Sequence, residues 1–182
     1  YGVQLVVRSS LNNHEGTIVR EEVNMEKMLV SGVAADKNAT RIAVIGLKDE
    51  QGIAFHLFNA LAKYNINVDI ILQSVGRNGT KDISFTVAED EADEAVAIIQ
   101  KSFPKSEYNK IDEEKDVAKI SIVGAGMMTH PGVAASMFEA LYDAGVNIKM
   151  ISTSEIRVTV LIDEKYTEKA LNAVHDKFAL GD

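Results

Sequence analysis

The sequence contains no cysteine, no tryptophan and only two prolines in 182 residues. Without cysteine the chain forms no disulfide bond and no thiolate zinc site, which fits a cytoplasmic protein. No apolar run reaches the roughly 18 residues of a membrane-spanning helix, and no signal segment opens the chain. Basic residues are in the minority: the net charge is -8, whereas nucleic acids and anionic membranes attract basic patches. We therefore expect neither a nucleic-acid partner nor a membrane partner.

The remaining composition favours compact domains. Hydrophobic residues make up 46% of the chain, and its length suits one or two small domains. The chain opens on Tyr1 rather than methionine and continues at once into the strand-like sequence GVQLVV. We interpret it as a fragment of a longer protein.

An internal repeat organises the sequence. Residues 123–155 have the pattern of a strand, a glycine turn, an amphipathic helix, a second glycine turn and a strand, and residues 45–75 are a looser copy. The aligned identical pairs are Gly46 with Gly124, Gly52 with Gly132, Ala54 with Ala134, Phe58 with Phe138, Leu61 with Leu141, Asn67 with Asn147, Ile71 with Ile151 and Ser74 with Ser154. Two copies are too few for a solenoid, so the repeat predicts two domains in tandem.

Each copy continues into a further strand and a second helix. In the first unit we predict strands over 41–46, 68–75 and 82–87, helices over 53–64 and 93–103, a hairpin turn at Asn78-Gly79 and a short fourth strand near 108–111. In the second unit we predict strands over 119–123, 148–152 and 156–162 and helices over 133–144 and 167–178. This β-α-β-β-α order is the split ferredoxin-like pattern without its last strand.

The second unit ends too early to complete its own sheet, because only the residues ALGD follow Phe178. An open sheet edge leaves unpaired backbone groups. The apolar segment 29–35, which precedes the first unit, can fill that edge. We therefore predict an α+β protein of two ferredoxin-like βαββαβ domains in tandem, with the first inserted into the second. Pairing of residues 29–35 with the first unit's own sheet would contradict this.

Several segments resemble a known family. GVAADKNATRIAVIGLKD, NINVDIILQSV, ISIVGAGMMTHPGVAASMFEAL and VNIKMISTSEIRVTVLI resemble the C-terminal regulatory half of aspartate kinases, which is built from the amino-acid-binding modules called ACT domains. The opening YGVQLVVRSS resembles the end of the catalytic domain of these enzymes. The resemblance implies the end of a kinase domain and a linker over 1–27, a first ACT domain over 38–117, and a second over 28–37 plus 118–182. The chain is then either the regulatory part of a fused kinase or a form of its separate small subunit.

The chemistry of an amino-acid ligand suggests where it binds. Backbone N–H groups at a glycine-led helix start suit its carboxylate, and the oxygens of Asp69 or Gln73 suit its ammonium group. The ACT resemblance implies an effector site in the first unit made of Asp49, Gln51, Gly52, Ile53, Ala54, Asn67, Val68, Asp69 and Gln73. The second unit has Lys149 at the position of Asp69, and a cation there repels an ammonium group. We therefore expect the second unit to support the site across an interface through Asn147, Ile148 and Thr153.

These residues also have purely structural interpretations. Gly46 and Gly124 can end strands, Asp49 can cap the helix that follows Gly52, and Asn67 can adopt a left-handed turn. Those alternatives stay open at the level of the sequence.

The sequence gives no ground for catalysis. Gly124-Ala125-Gly126 lacks the third glycine of a dinucleotide-binding turn, and no grouping of serine, histidine and acid indicates a nucleophile. The four histidines have no metal-ligand spacing; they are His14, His56, His130 and His175. We predict no catalytic residue, no metal and no cofactor in this chain.

The resemblance implies a regulatory function. We expect the chain to bind a pathway end product, lysine or threonine, at an ACT–ACT interface and so to feedback-inhibit the phosphorylation of aspartate in amino-acid biosynthesis. The implied partners are the kinase catalytic domain and a second copy of the chain in a homodimer. Gln73, Ser74 and the loop 76–80 are the expected determinants of effector choice. Two alternatives stay open: a dimerisation scaffold that binds no ligand, and an ACT regulatory module of another amino-acid enzyme.

Overall fold

The computed structural model describes residues 5–7, 17–19, 30–75, 79–127 and 130–180. In these residues the strands form two four-stranded antiparallel sheets and one two-stranded sheet. The small sheet pairs β1 (Leu5–Val7) with β2 (Thr17–Val19). Each large sheet is covered on one face by two helices, and these two layers make the first unit and the second unit.

The first unit is a complete βαββαβ module. Its elements are β4 (Thr40–Lys48), α1 (Ile53–Ala62), β5 (Ile71–Val75), β6 (Thr80–Val87), α2 (Ala92–Ser102) and β7 (Lys110–Glu114). The sheet order is β5-β6-β4-β7, so β5 forms one edge of the sheet. The apolar stripe of α1 explains the packing, because Leu57 and Leu61 recur at a four-residue spacing and are fully buried with Phe85 of β6.

The second unit takes its fourth strand from the segment that precedes the first unit. Its elements are β3 (Gly32–Asp36), β8 (Val117–Val123), α3 (Val133–Asp143), β9 (Met150–Thr153), β10 (Arg157–Asp163) and α4 (Thr167–Lys177). The sheet order is β3-β8-β10-β9, and β3 runs antiparallel to β8 with Val33 opposite Ile122. The predicted insertion of the first unit into the second is therefore confirmed, and both units have the ferredoxin-like strand order.

The element boundaries differ from the sequence predictions mainly at β5 and β7. The predicted strand 68–75 becomes regular only at Ile71, because the buried Thr86 interrupts the ladder before it. The Thr86 Oγ1 atom accepts a hydrogen bond of 3.1 Å from the Ile70 N–H group, where a regular ladder would use a backbone carbonyl. The fourth strand runs over Lys110–Glu114 and not over 108–111. The predicted turn at Asn78-Gly79 has its first residue outside the described part of the chain.

Gly46 lies within β4 and does not end it. Its φ of 73° falls in the left-handed region, and the pairing of β4 with β6 shifts register between Val44 and Leu47. The Gly46 N–H group donates to Asp82 Oδ1 at 2.7 Å, and a Cβ atom at this position would overlap the Asn109 side chain. Gly46 therefore makes a β-bulge, whereas its repeat partner Gly124 follows the end of β8.

Candidate functional site

The first helix of each unit begins without a side-chain cap. Gly52 precedes α1 with a φ of 91°, Gly132 precedes α3 with a φ of 101°, and neither helix has an acidic residue in its first turn. In α2, by contrast, Asp93 and Glu94 occupy the first turn. The free N–H groups of a first turn attract an anion, and acidic side chains nearby would compete with it. The starts of α1 and α3 can therefore each bind a carboxylate through free backbone N–H groups, as predicted from their glycines.

Asp49 lies beside this helix start but does not cap it. Its N–H group donates to the Gly79 carbonyl at 3.0 Å, and its Oδ1 atom pairs with Lys81 Nζ at 2.7 Å. The Asp49 carboxylate is thus fixed where β4 ends and β6 begins, close to Gly52. The capping interpretation of Asp49 is wrong, because α1 has no side-chain cap.

The predicted site residues of the first unit fall into two groups. Asp49, Gln51, Gly52, Ile53 and Ala54 lie around the start of α1, while Asn67, Val68 and Asp69 lie beyond its end. Asp69 N–H donates to the Thr86 carbonyl, whereas Asp49 N–H donates to the Gly79 carbonyl. Thr80 and Thr86 are six positions apart along β6, which corresponds to about 20 Å between the two groups. Within one chain, the structure does not bring them together.

Gln73 lies midway between these two groups. It lies in the exposed edge strand β5, opposite Ile83 of β6. Because β4 and β5 both run antiparallel to β6, they run parallel to each other, and β5 ends on the side where α1 begins. Gln73 is therefore about 10 Å along the sheet from the group around the start of α1 and about as far from the group around Asp69.

The second-unit residues divide in the same way along β9. Asn147 and Ile148 precede this strand, and Thr153 is its last residue. Thr153 and Asp69 line one cleft of about 430 Å³ on the helix-free face of the second sheet. The hydroxyl groups of Ser121 and Thr159 meet at 2.8 Å in that cleft. This cleft therefore brings together one predicted site residue from each unit, Asp69 from the first and Thr153 from the second.

The two units share an apolar contact. Ala39 and Ile70 of the first unit form a buried cluster with Val117, Met150 and Leu161 of the second. Ile70 and Met150 occupy the same position in the two copies of the repeat. Leu161 is fully buried there, so the cluster is a core of its own between the two sheets.

Two groups of charged side chains flank this cluster. In the Lys119 triad, Lys119 Nζ lies 2.8 Å from Asp36 Oδ2 and 2.7 Å from Asp69 Oδ2. Asp36 and Lys119 face each other across β3 and β8 of the second sheet, whereas Asp69 belongs to the first unit. The Asp69 carboxylate is therefore already paired across the interface between the units.

The Glu114 triad has the opposite charge. Glu114 accepts hydrogen bonds from Lys149 Nζ and from Arg41 Nε, the latter at 2.8 Å. Arg41 and Glu114 face each other across β4 and β7 of the first sheet, whereas Lys149 belongs to the second unit. Lys149 also pairs with Asp163 at 2.9 Å. In each triad, a cross-strand ion pair of one unit contacts a charged residue of the other unit. That residue lies shortly before an edge strand, Asp69 before β5 and Lys149 before β9.

The ion pairs shift the pKa values of Glu114, Asp36 and Lys119. Burial raises the pKa of Glu114, but hydrogen bonds from Lys149 and Arg41 outweigh it and hold the pKa below its ordinary 4.5. Asp36 behaves likewise: burial raises its pKa, but bonds from Lys119 and the Asn38 N–H group hold it below 3.8. Burial lowers the pKa of Lys119, yet bonds to Asp36 and Asp69 raise it above 10.5. These groups are therefore charged at neutral pH.

We expect Glu114→Gln to reduce stability at neutral pH but not in acid. A carboxylate whose folded pKa is lowered stabilises the fold above its ordinary pKa, and this contribution disappears as pH falls through the lower folded value. At neutral pH the variant should lose about 1 kcal/mol, because it leaves two cations without their shared partner. Urea unfolding across acid and neutral pH measures the difference. A loss that persists well below pH 4.5, where both proteins carry a neutral group at 114, would contradict the ion-pair explanation.

The sequence analysis identified Asp69 and Lys149 but missed their partners. Lys119, Asp36, Glu114 and Arg41 lie on strands with no pattern that indicates an ion pair, and the contacts of Lys119 and Glu114 with the other unit span 50 and 35 residues of sequence. The repeat alone could have indicated that these two cations are equivalent. When the alignment of Gly46 with Gly124 is extended towards the N-terminus, Arg41 aligns with Lys119.

The described residues show no arrangement for metal binding or membrane insertion. Among them, histidine, aspartate and glutamate side chains form no group of three or more that could hold a metal ion. No helix in the described part of the chain has the length and apolar character needed to cross a membrane.

Comparison with known proteins identifies the family. A family model described as ACT domain matches residues 42–103 and 120–178, one match in each unit. The regulatory subunit of aspartate kinase from Thermus thermophilus is 42% identical, with a TM-score of 0.76, and the match covers 82% of this chain and 99% of that one. The chain belongs to the regulatory, ACT-domain part of the aspartokinase family.

Two further relatives support this membership. A structure of aspartokinase alpha and beta subunits matches with 46% identity and a TM-score of 0.76, covering 83% of this chain and 99% of that chain. The aspartokinase of Helicobacter pylori (strain ATCC 700392 / 26695) is 43% identical over 98% of the chain. The chain spans 45% of the length of that curated aspartokinase. The resemblance inferred from the sequence is therefore confirmed.

Proposed function

We propose that this chain is the allosteric region of an aspartate kinase, where an end-product amino acid binds at an ACT–ACT interface and inhibits phosphorylation of aspartate. Membership of the aspartokinase family and the two ACT units support a regulatory function. The observation that carries the effector site is the uncapped start of α1, with Gly52 in the left-handed region and no acid in the first turn. Lysine and threonine remain the proposed effectors. Residues 1–27 are proposed to end the kinase domain and to link it to the ACT domains over 38–117 and over 28–37 plus 118–182.

The topology suggests how a second copy completes this site. β5 and β9 are both edge strands, and each exposes apolar side chains, Ile71 and Val75 in β5 and Ile151 in β9. If β5 of one chain pairs antiparallel with β9 of another, the start of β9 lies beside the end of β5. Asn147 and Ile148 of one chain then approach the α1 start and Gln73 of the other. The same pairing places Thr153 near Asn67, Val68 and Asp69.

A homodimer follows from this arrangement. Two such edge contacts form at once when both chains contribute β5 and β9, and each contact covers a row of unpaired backbone groups. In this geometry the ligand carboxylate binds the α1 start. Asp49 lies at that start, while Asp69 lies about 20 Å away and is paired with Lys119. The geometry therefore favours Asp49 over Asp69 as the acceptor of the ligand ammonium group.

Thermal unfolding with added amino acids tests the proposal. A ligand at about a hundred times its dissociation constant stabilises the protein by about 2.7 kcal/mol, which raises the Tm of a chain of this size by several degrees. We expect this shift with lysine, with threonine or with the two together, and no shift with methionine. The shift should disappear on diluting the dimer to monomers, because one chain holds only half of the site.

Gly52→Ala with Gly132→Ala as its matched control locates the site. Both glycines have φ near 100° and room for a Cβ atom, so each variant should lose about 1 kcal/mol from backbone strain. Only the first should also lose the stabilisation by ligand, since its Cβ stands at the proposed carboxylate position. Equal ligand responses in the two variants would exclude the start of α1.

The dimerisation scaffold is the second candidate. The exposed edges of β5 and β9 favour it, because edge pairing alone accounts for them. It predicts a dimer whose Tm responds to none of the amino acids. The third interpretation, an ACT module of another amino-acid enzyme, is set aside by the aspartokinase relatives.

A further inference from the structure

The two charged triads occupy equivalent places in the repeat, and only the residue that precedes the edge strand changes sign, from Asp69 in the first unit to Lys149 in the second. Lys119 aligns with Arg41, and Lys149 aligns with Asp69, in the register that also aligns the glycine turns. Asp36 of β3 and Glu114 of β7 each lie on the fourth strand of their sheet, directly opposite these cations. In the Lys119 triad the shared group is a cation between two acids, and in the Glu114 triad it is an acid between two cations.

Each triad joins opposite charges across the contact between the units. Asp69, two residues before β5, pairs with Lys119 of the second unit. Lys149, directly before β9, pairs with Glu114 of the first unit. The two lysines are largely shielded from solvent, with 12% exposure for the Lys119 side chain and 22% for Lys149, whereas Asp36 and Asp69 are about half exposed. Partly buried charges interact more strongly than exposed ones and strongly disfavour like-charged neighbours.

The triads also fix the angle between the two sheets. They flank the apolar cluster of Ile70 and Met150, and these two residues immediately follow Asp69 and Lys149. An apolar contact by itself is not directional. Two ion-pair contacts on either side of it resist rotation of one sheet against the other, because a rotation lengthens at least one of them.

We propose that the Lys119 and Glu114 triads form an interdomain clasp, which holds the two units at the angle a dimer needs. The proposal rests on the proposed function. A dimer closes both β5–β9 contacts only if the angle between units is the same in both chains. The clasp sets this angle before association, which lowers the entropy cost of assembling the effector site. In this arrangement Asp69 is a positioning residue that acts through Lys119.

The first test compares Lys119→Met with Lys177→Met. Lys177 pairs with Glu139 at 2.7 Å inside the second unit, so this control removes an ion pair of similar length without touching the clasp. Calorimetry with lysine and threonine should give an effector Kd about fivefold weaker or more in Lys119→Met and unchanged in Lys177→Met. Equal affinities in both variants and the unaltered chain would overturn the clasp.

A charge-inverted triad separates a positioning role of Asp69 from direct ligand contact. The triple variant Asp36→Arg, Lys119→Glu and Asp69→Lys inverts every charge of the Lys119 triad, so that an acid lies between two cations and the attraction between the units is kept. We expect Asp69→Lys alone to weaken effector binding and the triple variant to recover most of the affinity. If the triple variant binds as weakly as Asp69→Lys, then the Asp69 carboxylate itself contacts the ligand and the positioning role is refuted.

The angle between units can be measured without any ligand. The chain has no cysteine, so Lys63→Cys in the first unit and Lys169→Cys in the second provide two specific spin-label sites, both exposed. In labelled chains diluted with unlabelled ones, Lys119→Met should broaden or shift the distance distribution, and Lys177→Met should leave it unchanged. An unchanged distribution in Lys119→Met would refute the clasp. A changed distribution, with no amino acid bound by any variant, would instead contradict the proposed function.

Discussion

Leu161→Ala is expected to lower the free energy of unfolding by about 3 kcal/mol. Leu161 is fully buried in the cluster between the units, where it packs with Ile70 and Met150. Truncation removes apolar contacts from both units at once, and the sheets on either side are too rigid to close the cavity. Because the cluster joins the units, the variant should also unfold less cooperatively. Calorimetric unfolding measures both effects.

Leu171→Ala provides the matched control for this prediction. Leu171 is a half-buried residue of α4 that takes no part in the interdomain cluster. The same truncation there should cost about 1 kcal/mol and preserve a single transition. If both variants lose the same stability and keep one transition, then the cluster at Leu161 does not hold the two units together.

Much of the fold could be predicted because the two copies of the repeat show the same order of strands and helices. The second copy lacks a strand, and an apolar segment of suitable length lies directly before the first copy, so the insertion followed from counting strands. The helix positions followed from residues such as Leu57 and Leu61, whose spacing depends on local geometry alone. The start of β5 could not be found in this way. It depends on Thr86, whose side chain reaches across to the Ile70 N–H group and ends the regular ladder.

The site could be predicted only in part. A glycine before α1 predicts a helix start without a side-chain cap, because glycine has no side chain to supply one. The structure has this uncapped start at Gly52. The resemblance placed Asp69 in the same site, although this residue lies at the far end of β6. The family resemblance predicts which residues form the site, but it does not show which of the two chains in a dimer supplies each residue. The partner of Asp69, Lys119, lies 50 residues later in the other unit, so only the fold reveals their pairing.

Replacing Gly32–Asp36 with a glycine-serine segment of equal length is expected to destabilise the second unit selectively, by about 4 kcal/mol. The change leaves β8 as an open edge, with five cross-strand residue pairs lost and each hydrogen bond worth about 1 kcal/mol. The first unit has a complete sheet and a core of its own, so it should stay folded. Hydrogen exchange should then show faster exchange in β8, β9 and β10 and unchanged protection in β4 and β6.

Asp36→Ser separates the role of the strand from that of the clasp in this experiment. It removes the Asp36 carboxylate from the Lys119 triad but keeps β3 paired with β8. We expect it to cost less than 1 kcal/mol, since one partly exposed ion pair is lost and Lys119 keeps Asp69 as a partner. Protection in β8 should be retained. If Asp36→Ser exposes β8 as fully as the segment replacement does, then the ion pair and not the strand ladder holds β3 in place. If neither change affects the second unit, then β3 contributes nothing to its stability.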